Sequence, residues 1–426
     1  MMLENQWRFH TESVVDPVGR VLSASNRIGR AINKPFADEI RNLVHLAEKR
    51  KWFDHGLVNT WIVDDTIDGY GLVLEHERIP YVTYRREWPA LALQRAALCT
   101  LDLAIALYAD GYALKDAHCW NVLFQGTRPK FVDFASIRPI REMNAHAWMR
   151  EFRNYFLAPL CQFSEGKPDL ARALTQEHLS GTGLWILNHE PSRLVSLPSA
   201  NEYTIAALEA LRKSVADLKF SKLGGAWGNY EQPAASNDGL RQKDVQVAQI
   251  LDRLKFSSAI DIGANRGLHS FMCADRGASV VACDIEEGCL NDIFLEAEAR
   301  NASVMPTYLD LVNPAGTSGA FASQPSVSER LRCDLVIALA IVHHICFRRR
   351  YYVDTFVRSI ASFSDEHAIV EFVPDSDFHV AQWRLPPLEG YSTDEFRQTL
   401  LKYFRQVEEV PIEPEPRCLF VCSSKI

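Results

Sequence analysis

The sequence lacks the features of a membrane-spanning, secreted or nucleic-acid-binding protein. No uninterrupted apolar run is long enough to cross a bilayer, and the first residues, MMLENQWRFHTESVVD, are polar where a signal peptide requires an apolar segment. Basic residues are the minority, since 46 Lys and Arg stand against 54 Asp and Glu and the net charge is −8. Such a balance argues against non-specific binding to nucleic acid. We expect a cytoplasmic protein with no membrane span and no nucleic-acid partner, of unknown oligomeric state.

Metal-binding spacing is also missing from the cysteines. The chain has 10 of them, and the closest pair, Cys418 and Cys422, lies in a run that is typical of a β-strand. Cysteines scattered in this way are usually small buried apolar residues of a reducing compartment. We therefore expect free buried thiols and no structural zinc site.

The composition is that of a globular protein with at least two cores. Hydrophobic residues make up 47% and charged residues 23% of the 426 residues, a length that favours two or three domains. Periodicity stops over residues 220–238, FSKLGGAWGNYEQPAASND, where Gly, Pro, Ser and Asn accumulate. We predict a linker there, an α+β domain over 1–219 and an α/β domain over 239–426. The alternation of helices and strands in the second domain predicts a mostly parallel, Rossmann-like sheet.

The run SSAIDIGANRGLHSF in the second domain predicts a buried strand, a glycine-containing turn and a helix. Small residues in such a turn let a ligand approach the backbone at the carboxyl edge of a parallel sheet. The glycines are four apart, which differs from the spacing of dinucleotide-binding sites. The predicted site residues of this turn are Asp261, Gly263, Asn265 and Gly267.

Acidic residues end the next two predicted strands. Asp284, which follows SVVAC, is suited to accept hydrogen bonds from two ribose hydroxyls, and its neighbour Ile285 is included in the predicted site. Asp310 ends VMPTYLDL and is suited to an adenine amino group, with Leu311 beside it. Each acid has a structural alternative, because Asp284 could cap the following helix and Asp310 could begin a turn.

Two histidines, His343 and His344, follow the fourth predicted strand, DLVIALAIVHH, which we expect to run into them. A histidine with a pKa near neutrality could orient an acceptor or remove its proton. Glu371, in AIVEFVP, is a third catalytic candidate, although a buried paired acid is an equally good interpretation. Arg348 and the two arginines after it favour a solvated helix face over an anion-binding site.

The ordered set of strands with acids at their ends resembles the class I S-adenosylmethionine-dependent methyltransferases over residues 240–426. The resemblance implies that S-adenosyl-L-methionine is the cofactor. It also implies that the glycine turn, Asp284 and Asp310 line the methionine, ribose and adenine parts of the site, while the histidines face the acceptor.

The first domain contains LKDAHCWNVLF followed by FVDF. Asp116, Asn121 and Asp133 have the spacing of a kinase catalytic loop and its magnesium ligands, and Asp116-Ala-His118-x-x-Asn121 resembles the D-x-H-x-x-N loop of aminoglycoside and choline kinases. Asn121 and Asp133 would hold the metal if this domain binds Mg-ATP. A phosphate-covering glycine-rich turn is missing, and Arg30 and Lys34 lie outside any clear strand pattern. We therefore expect a degenerate or unusual kinase-like domain.

The combination of YRREWPALALQRAALCTLDL, LKDAHCWNVLF and ALAIVHHI resembles a bacterial group that includes the NoeA-type nodulation proteins. The resemblance covers residues from about 80 to 426. It implies a methyltransferase that acts on a small-molecule or glycan-like acceptor, with a kinase-like first domain. Two alternatives remain for that domain: it phosphorylates the acceptor that the second domain methylates, or it is a non-catalytic scaffold that binds a partner.

Overall fold

A computed structural model describes residues 6–10, 16–176, 203–223, 241–318, 324–414 and 416–426. The chain forms two compact units, of which the first comprises Met1–Leu223 and the second comprises Gly224–Ser318 and Pro325–Ile426. Most of the predicted linker, from 224 to 238, lies outside the described residues. The predicted domain boundaries therefore stay predictions.

The first unit begins with an antiparallel sheet. Its strands are β1 (Arg8–Phe9), β2 (Gly19–Ala24), β3 (Arg27–Asn33), β4 (Thr60–Val63) and β5 (Tyr70–His76). The order across the sheet is β1-β2-β3-β5-β4. Helix α1 (Ala37–Lys49) follows β3 and buries Ile40, Leu43, Val44 and Ala47 at helical spacing, whereas Leu46, which the periodicity also placed on this stripe, is half-buried.

Arg30 lies in the middle of β3, where its backbone pairs with both β2 and β5. The expectation that it lies outside a clear strand is wrong, because the run RIGRAIN forms β3 although it shows no strict alternation of apolar and polar residues. Lys34 begins the short 3-10 turn Lys34–Phe36 and lies just outside the strand, as expected.

Helices and short hairpins form the rest of the first unit. The helices are α2 (Ala90–Ala109), α3 (Ala145–Phe152), α4 (Ala158–Ser164), α5 (Pro168–Gln176) and α6 (Ile205–Ala216). By length and composition α2 could cross a membrane, but 67% of its apolar window is buried inside the protein. That burial identifies α2 as the core helix of this unit.

Two small ladders follow α2 and frame the kinase-like motif. Strand β6 (Tyr112–Leu114) pairs with β9 (Ile137–Pro139), and β7 (Val122–Gln125) pairs with β8 (Arg128–Phe131). Both ladders are antiparallel, and the residues that join them carry Asp116, Asn121 and Asp133.

The second unit contains one mixed sheet. Its strands are β10 (Ser258–Ile262), β11 (Ser279–Asp284), β12 (Val304–Tyr308), β13 (Cys333–Ala338), β14 (Ser364–Phe372), β15 (Phe404–Pro411) and β16 (Cys418–Lys425). The order is β12-β11-β10-β13-β14-β16-β15, with β16 antiparallel to both of its neighbours and the first five strands parallel. The predicted α/β, Rossmann-like architecture is confirmed for this unit.

Helices between the parallel strands cover the sheet. They are α7 (Gln242–Arg253), α8 (Leu268–Ala274), α9 (Glu287–Arg300), α10 (Val327–Arg330), α11 (Val353–Ser362), α12 (Phe378–Ala381) and α13 (Thr393–Leu400). Val247 of α7 and Ile293 of α9 share a core with Ala259, Val280 and Leu335 of the strands. Because parallel strands are buried on both faces, their polar residues are confined to the strand ends.

Candidate cofactor and acceptor site

The turn after β10 has a backbone that few residues other than glycine adopt. Gly263, Asn265 and Gly267 have φ angles of +81°, +49° and +78°, and asparagine tolerates this left-handed region better than most side chains. A Cβ atom on Gly263 would lie 2.4 Å from Cγ2 of Ile341. Glycine is therefore required at 263 both for its φ angle and for space, and the turn keeps bare backbone at the carboxyl edge of the sheet.

Asp284 ties this turn to the end of β11. Its carboxylate accepts backbone N–H groups from Asn265 at 2.8 Å, Ile285 at 2.7 Å and Glu286 at 3.0 Å. Burial raises the pKa of Asp284, and the three N–H donors act in the opposite direction. A carboxylate offers about four acceptor positions, so roughly one is left for a ligand hydroxyl rather than the two that the sequence suggested.

Ile285 presents an apolar surface beside that carboxylate. Its side chain is 44% exposed, which is high for a large aliphatic residue next to a sheet edge. Asp310 comes two residues after β12, near the same edge, because Leu309 N–H donates to the Asp284 carbonyl at 3.0 Å. Asp310 and Leu311 are both half-buried. The structure thus brings the ribose and adenine candidates to one edge of the sheet.

Two acids of the predicted site are engaged within the protein. Asp261 is 2% exposed, accepts a hydrogen bond from Ser270 Oγ at 2.7 Å, and has its pKa raised by burial. It joins β10 to α8 and supports the turn from behind. Asp310 Oδ1 accepts the N–H of Val312 at 3.0 Å, which is the turn-forming role considered from the sequence.

The two histidines do not end a strand. β13 ends at Ala338, and the chain reverses at Ala340, whose φ is +54°, before the π-helical turn His343–Arg348. The expectation that the strand runs into the histidines is therefore wrong. An N–H···O hydrogen bond of 2.9 Å from Ala340 to Glu371 holds the reversal, a tertiary contact that a local pattern cannot reveal.

The histidine rings pack against Trp383, which follows α12. The His343 and Trp383 ring centroids are 5.6 Å apart with planes 19° apart, and His344 lies 5.3 Å from the same ring. Sequence reasoning missed Trp383. Its only signal was an aromatic residue in a polar loop after the fifth parallel strand, where acceptor-binding loops occur in such sheets.

Neither histidine has the near-neutral pKa that was expected. Burial lowers the pKa of His343 to about 3, and the neighbouring His344, Arg417 and Lys243 lower it further than Asp377 raises it. Burial, followed by Arg348 and Arg349, lowers the pKa of His344 to about 4. Both rings are neutral at pH 7 and are weak proton acceptors. Nδ1 of His343 is buried without a hydrogen-bond partner.

Glu371 lies at the centre of a buried ionic network. Its Oε2 accepts from Lys243 Nζ at 2.9 Å, and its Oε1 lies 3.7 Å from the Arg417 guanidinium. Arg417 also donates to Asp377 at 2.8 Å. Glu371 is 0% exposed and holds the Ala340 reversal, so the structure favours the paired structural acid over a group that contacts the acceptor.

Metal ligands are not assembled in this unit. Across the described ranges, no three His, Cys, Asp or Glu side chains come together as a metal site. All ten cysteines are buried and free, as the sequence predicted.

The predicted kinase-like residues of the first unit lie at the ends of the two small ladders. Val132 N–H donates to the Asn121 carbonyl at 2.8 Å, which places Asn121 and Asp133 at the same end of the β7–β8 hairpin. Asp116 N–H donates a hydrogen bond to Ser136 Oγ at 3.4 Å, beside the β6–β9 ladder. The 3-10 turn Phe134–Ser136 follows Asp133 directly and connects β8 of one ladder with β9 of the other.

Arg30 supplies a positive charge next to Asp133. Its guanidinium lies 3.1 Å from Asp133 Oδ1 and 3.6 Å from Asp16. Both of these ion-pair partners of Arg30 lie outside helix α1. Asn121 Nδ2, His118 Nδ1 and Arg30 Nη1 are buried without a hydrogen bond, whereas Asp133 Oδ1 is engaged in the ion pair with Arg30.

Comparison with known proteins supports the sequence resemblance. No family model matches the chain. The chain is 26% identical over 453 aligned residues to the nodulation protein NoeA of Rhizobium meliloti (strain 1021), covering 95% of this chain and 94% of the relative.

Solved structures match one part of the chain. The bifunctional kinase-methyltransferase WbdD has 17% identity and a TM-score of 0.32, with 43% of this chain and 38% of the WbdD chain covered. Magnesium protoporphyrin IX methyltransferase (ChlM) from Synechocystis PCC 6803 with bound SAH has 18% identity and a TM-score of 0.31, with 43% of this chain and 84% of that chain covered. These similarities are too low to inform substrate or mechanism. The resemblance predicted from the sequence is confirmed: this chain is similar to the NoeA nodulation protein over almost its whole length, and its second unit has the α/β architecture that the resemblance implied.

Proposed function

We propose that the second unit transfers a methyl group from S-adenosyl-L-methionine to a small-molecule or glycan-like acceptor. The observation that carries the proposal is the meeting of the left-handed glycine turn, the Asp284 carboxylate and the exposed Ile285 at the carboxyl edge of the parallel sheet. Ligands of open α/β sheets bind at this edge.

The residues at this edge fit the cofactor. The bare backbone of Gly263 and Gly267 allows close approach of the methionine part, and the remaining acceptor position of Asp284 suits one ribose hydroxyl. Ile285 offers an apolar face to the adenine, with Asp310 and Leu311 beside it. S-adenosylmethionine, when bound, supplies a methyl group on a sulfonium.

The remaining residues shape the turn and the acceptor side. Asp261 fixes α8 against β10 through Ser270. Glu371 holds the chain reversal that places His343 and His344 against Trp383. Because both rings are neutral, they are suited to orient an acceptor by hydrogen bonding and contact rather than to remove a strongly held proton.

Calorimetry of S-adenosylhomocysteine binding to the full chain tests the cofactor site. We expect Asp284→Asn to weaken binding at least tenfold, because it removes a charge-assisted acceptor and loosens the turn. Asp275→Asn, an exposed acid in the same unit, is the matched control and should leave the affinity unchanged. Equal affinity of wild type and Asp284→Asn would remove Asp284 from the site.

A second function is favoured by one observation in the first unit. The half-buried Asp133 carboxylate shares one hairpin end with Asn121, whose side-chain oxygen could join it as a metal ligand, and lies 3.1 Å from the Arg30 guanidinium. Magnesium bound to phosphates accepts one or two carboxylate ligands of this kind. We infer weak Mg-ATP binding there, which leaves two interpretations: phosphorylation of the acceptor by the first unit, or a kinase-like scaffold that binds a partner.

A further inference from the structure

We propose that the acceptor carries an acidic group, a carboxylate or a phosphate, which Arg348 and Arg349 bind beside His343, and that an oxygen of this group receives the methyl. The inference rests on the proposed function, and it names the substrate class of that same site. It reverses the interpretation that the arginine run is only a solvated helix face.

Arg348 is held in place without a carboxylate partner. Its guanidinium carbon lies 5.4 Å from the centroid of the Trp383 ring, the ring on which His343 stacks. Within the described ranges, neither Arg348 nor Arg349 forms an ion pair, whereas Arg417 of the same unit is paired with two acids. A guanidinium anchored on an aromatic face keeps its N–H donors available for a planar, two-oxygen anion.

The backbone that presents these arginines is strained at both ends. Ala340 has φ +54° and Arg350 has φ +64°, although neither is glycine or asparagine. Residues held in this region are destabilising and cluster at functional sites. Arg350 is fixed by donating to the Pro386 carbonyl at 2.6 Å, and its Nη1 is buried without a partner. The strain therefore serves to hold the segment between them in one arrangement.

Positive charge dominates the groups that act on the two rings. The positive charges of Arg348 and Arg349 lower the pKa of His344, and those of Arg417 and Lys243 lower the pKa of His343. The negative charge of Asp377 raises the pKa of His343. Asp377 is neutralised by its contact with Arg417, and the Glu371 charge is shared between Lys243 and Arg417. Within the described ranges, none of the three arginines of the run 348–350 is paired with an acid, so an anion is the complementary ligand on this side.

The acidic oxygen also removes a difficulty of the transfer step. A hydroxyl acceptor would need a base to take its proton, and the two buried neutral histidines hold protons weakly. An ionised carboxylate or phosphate has no proton to lose at pH 7. Its oxygen forms the new bond to the methyl carbon while the carbon–sulfur bond breaks and leaves its electron pair on sulfur. The product is a methyl ester and a thioether, with one positive and one negative charge cancelled and no proton released.

His343 then acts as a positioning residue. Its neutral ring can donate one hydrogen bond to the second oxygen of the acid, which would turn the first oxygen toward the methyl carbon. The buried, unpartnered Nδ1 atom shows that the ring has an unused polar position in this structure.

Calorimetric titration of the full chain, saturated with S-adenosylhomocysteine, tests the anion site. The probes are inorganic phosphate, acetate and uncharged glucose, at constant ionic strength. We expect at least one anion to bind and glucose not to bind. We expect Arg348→Gln/Arg349→Gln to weaken the anion at least tenfold, and Arg397→Gln/Arg405→Gln, two exposed arginines of the same unit, to leave it unchanged.

The outcomes separate the two proposals. If S-adenosylhomocysteine does not bind wild type, the proposed function fails; if it binds and both anions do not, only the acidic acceptor fails. Equal anion affinity in both double variants also overturns the inference. The single change Arg349→Gln, at an exposed side chain, gives the same test without disturbing the Trp383 packing, and the preferred probe distinguishes a phosphate from a carboxylate acceptor.

Discussion

At the scale of single residues, Glu371 illustrates how an acid can shape a site without contacting a substrate. Its side chain is 0% exposed, and its partner Lys243 is 12% exposed, so neither charge can be hydrated if the other is lost. Removing one member of a buried ion pair typically costs about 3–5 kcal/mol, because the remaining charge is left without compensation. We expect Glu371→Gln to lower the free energy of unfolding of the second unit by about 3 kcal/mol or more.

Glu408 provides the matched control. It pairs with Arg253 at 2.7 Å, but the two side chains are 52% and 47% exposed, and such pairs contribute about 0–1 kcal/mol. Hydrogen exchange of the β14 amides in the full chain measures both variants, since the two units need not unfold together. Similar losses in Glu371→Gln and Glu408→Gln would show that the buried network adds little stability.

Residue types at strand ends were predictable because strand ends are where a buried parallel sheet exposes polar groups. Asp284 and Ile285 could be placed from the sequence for this reason. The partners of Glu371 could not, because Lys243 and Arg417 lie far from it in the chain. The histidine pKa values depend on the same long-range packing, so free-imidazole values were a poor guide.

At the scale of elements, the turn after β10 requires glycine at position 263 for two separate reasons. Its φ of +81° costs a residue with a Cβ about 1–2 kcal/mol, and an added Cβ would meet Ile341 at 2.4 Å. We expect Gly263→Ala to destabilise the second unit by more than the φ cost alone. It should also weaken S-adenosylhomocysteine binding at least tenfold, because the turn must move.

Gly277 tests these two reasons separately, because only the φ angle requires glycine there. Its φ is +86°, but an added Cβ would meet nothing within 4 Å. Gly277→Ala should therefore show only the conformational cost and unchanged ligand affinity, measured by the same hydrogen exchange and calorimetry. If Gly277→Ala weakened the ligand as much as Gly263→Ala, the contact with Ile341 would not explain the glycine.

Elements with strong periodicity were predicted well, and those set by tertiary contacts were not. Helices α1 and α2 and the strands β10 to β14 follow from stripes and apolar runs that burial enforces locally. The π-helical turn His343–Arg348 does not follow from such a pattern. β13 ends before it, and the Ala340 N–H beyond the strand end donates to Glu371, a residue distant in the chain. Trp383 belongs to the same class of feature, a loop residue whose role appears only when its neighbours are known.

At the scale of the whole molecule, one chain carries two units with different kinds of site. The second unit has the proposed cofactor edge, at the turn after β10, and the proposed acceptor side around Trp383. The first unit has the loop residues Asp116, Asn121 and Asp133 at the ends of two ladders, and the Arg30 cation lies between Asp133 and Asp16. Because two carboxylates already pair with Arg30, we expect a nucleotide phosphate to compete with Asp16 for it.

Thermal-shift titration of the full chain with Mg-ATP distinguishes the two interpretations of the first unit. We expect a small stabilisation, about 0.4 kcal/mol when the ligand concentration equals its dissociation constant, or about 1–2 °C for a unit of this size. Asp133→Asn should abolish it by removing a metal ligand, and Asp16→Asn should increase it by freeing Arg30. Asp217→Asn, whose side chain is 69% exposed, is the control and should match wild type. A large stabilisation of wild type that Asp133→Asn removes would favour a kinase that phosphorylates the acceptor. No shift in wild type or in Asp16→Asn would rule out nucleotide binding and leave the scaffold.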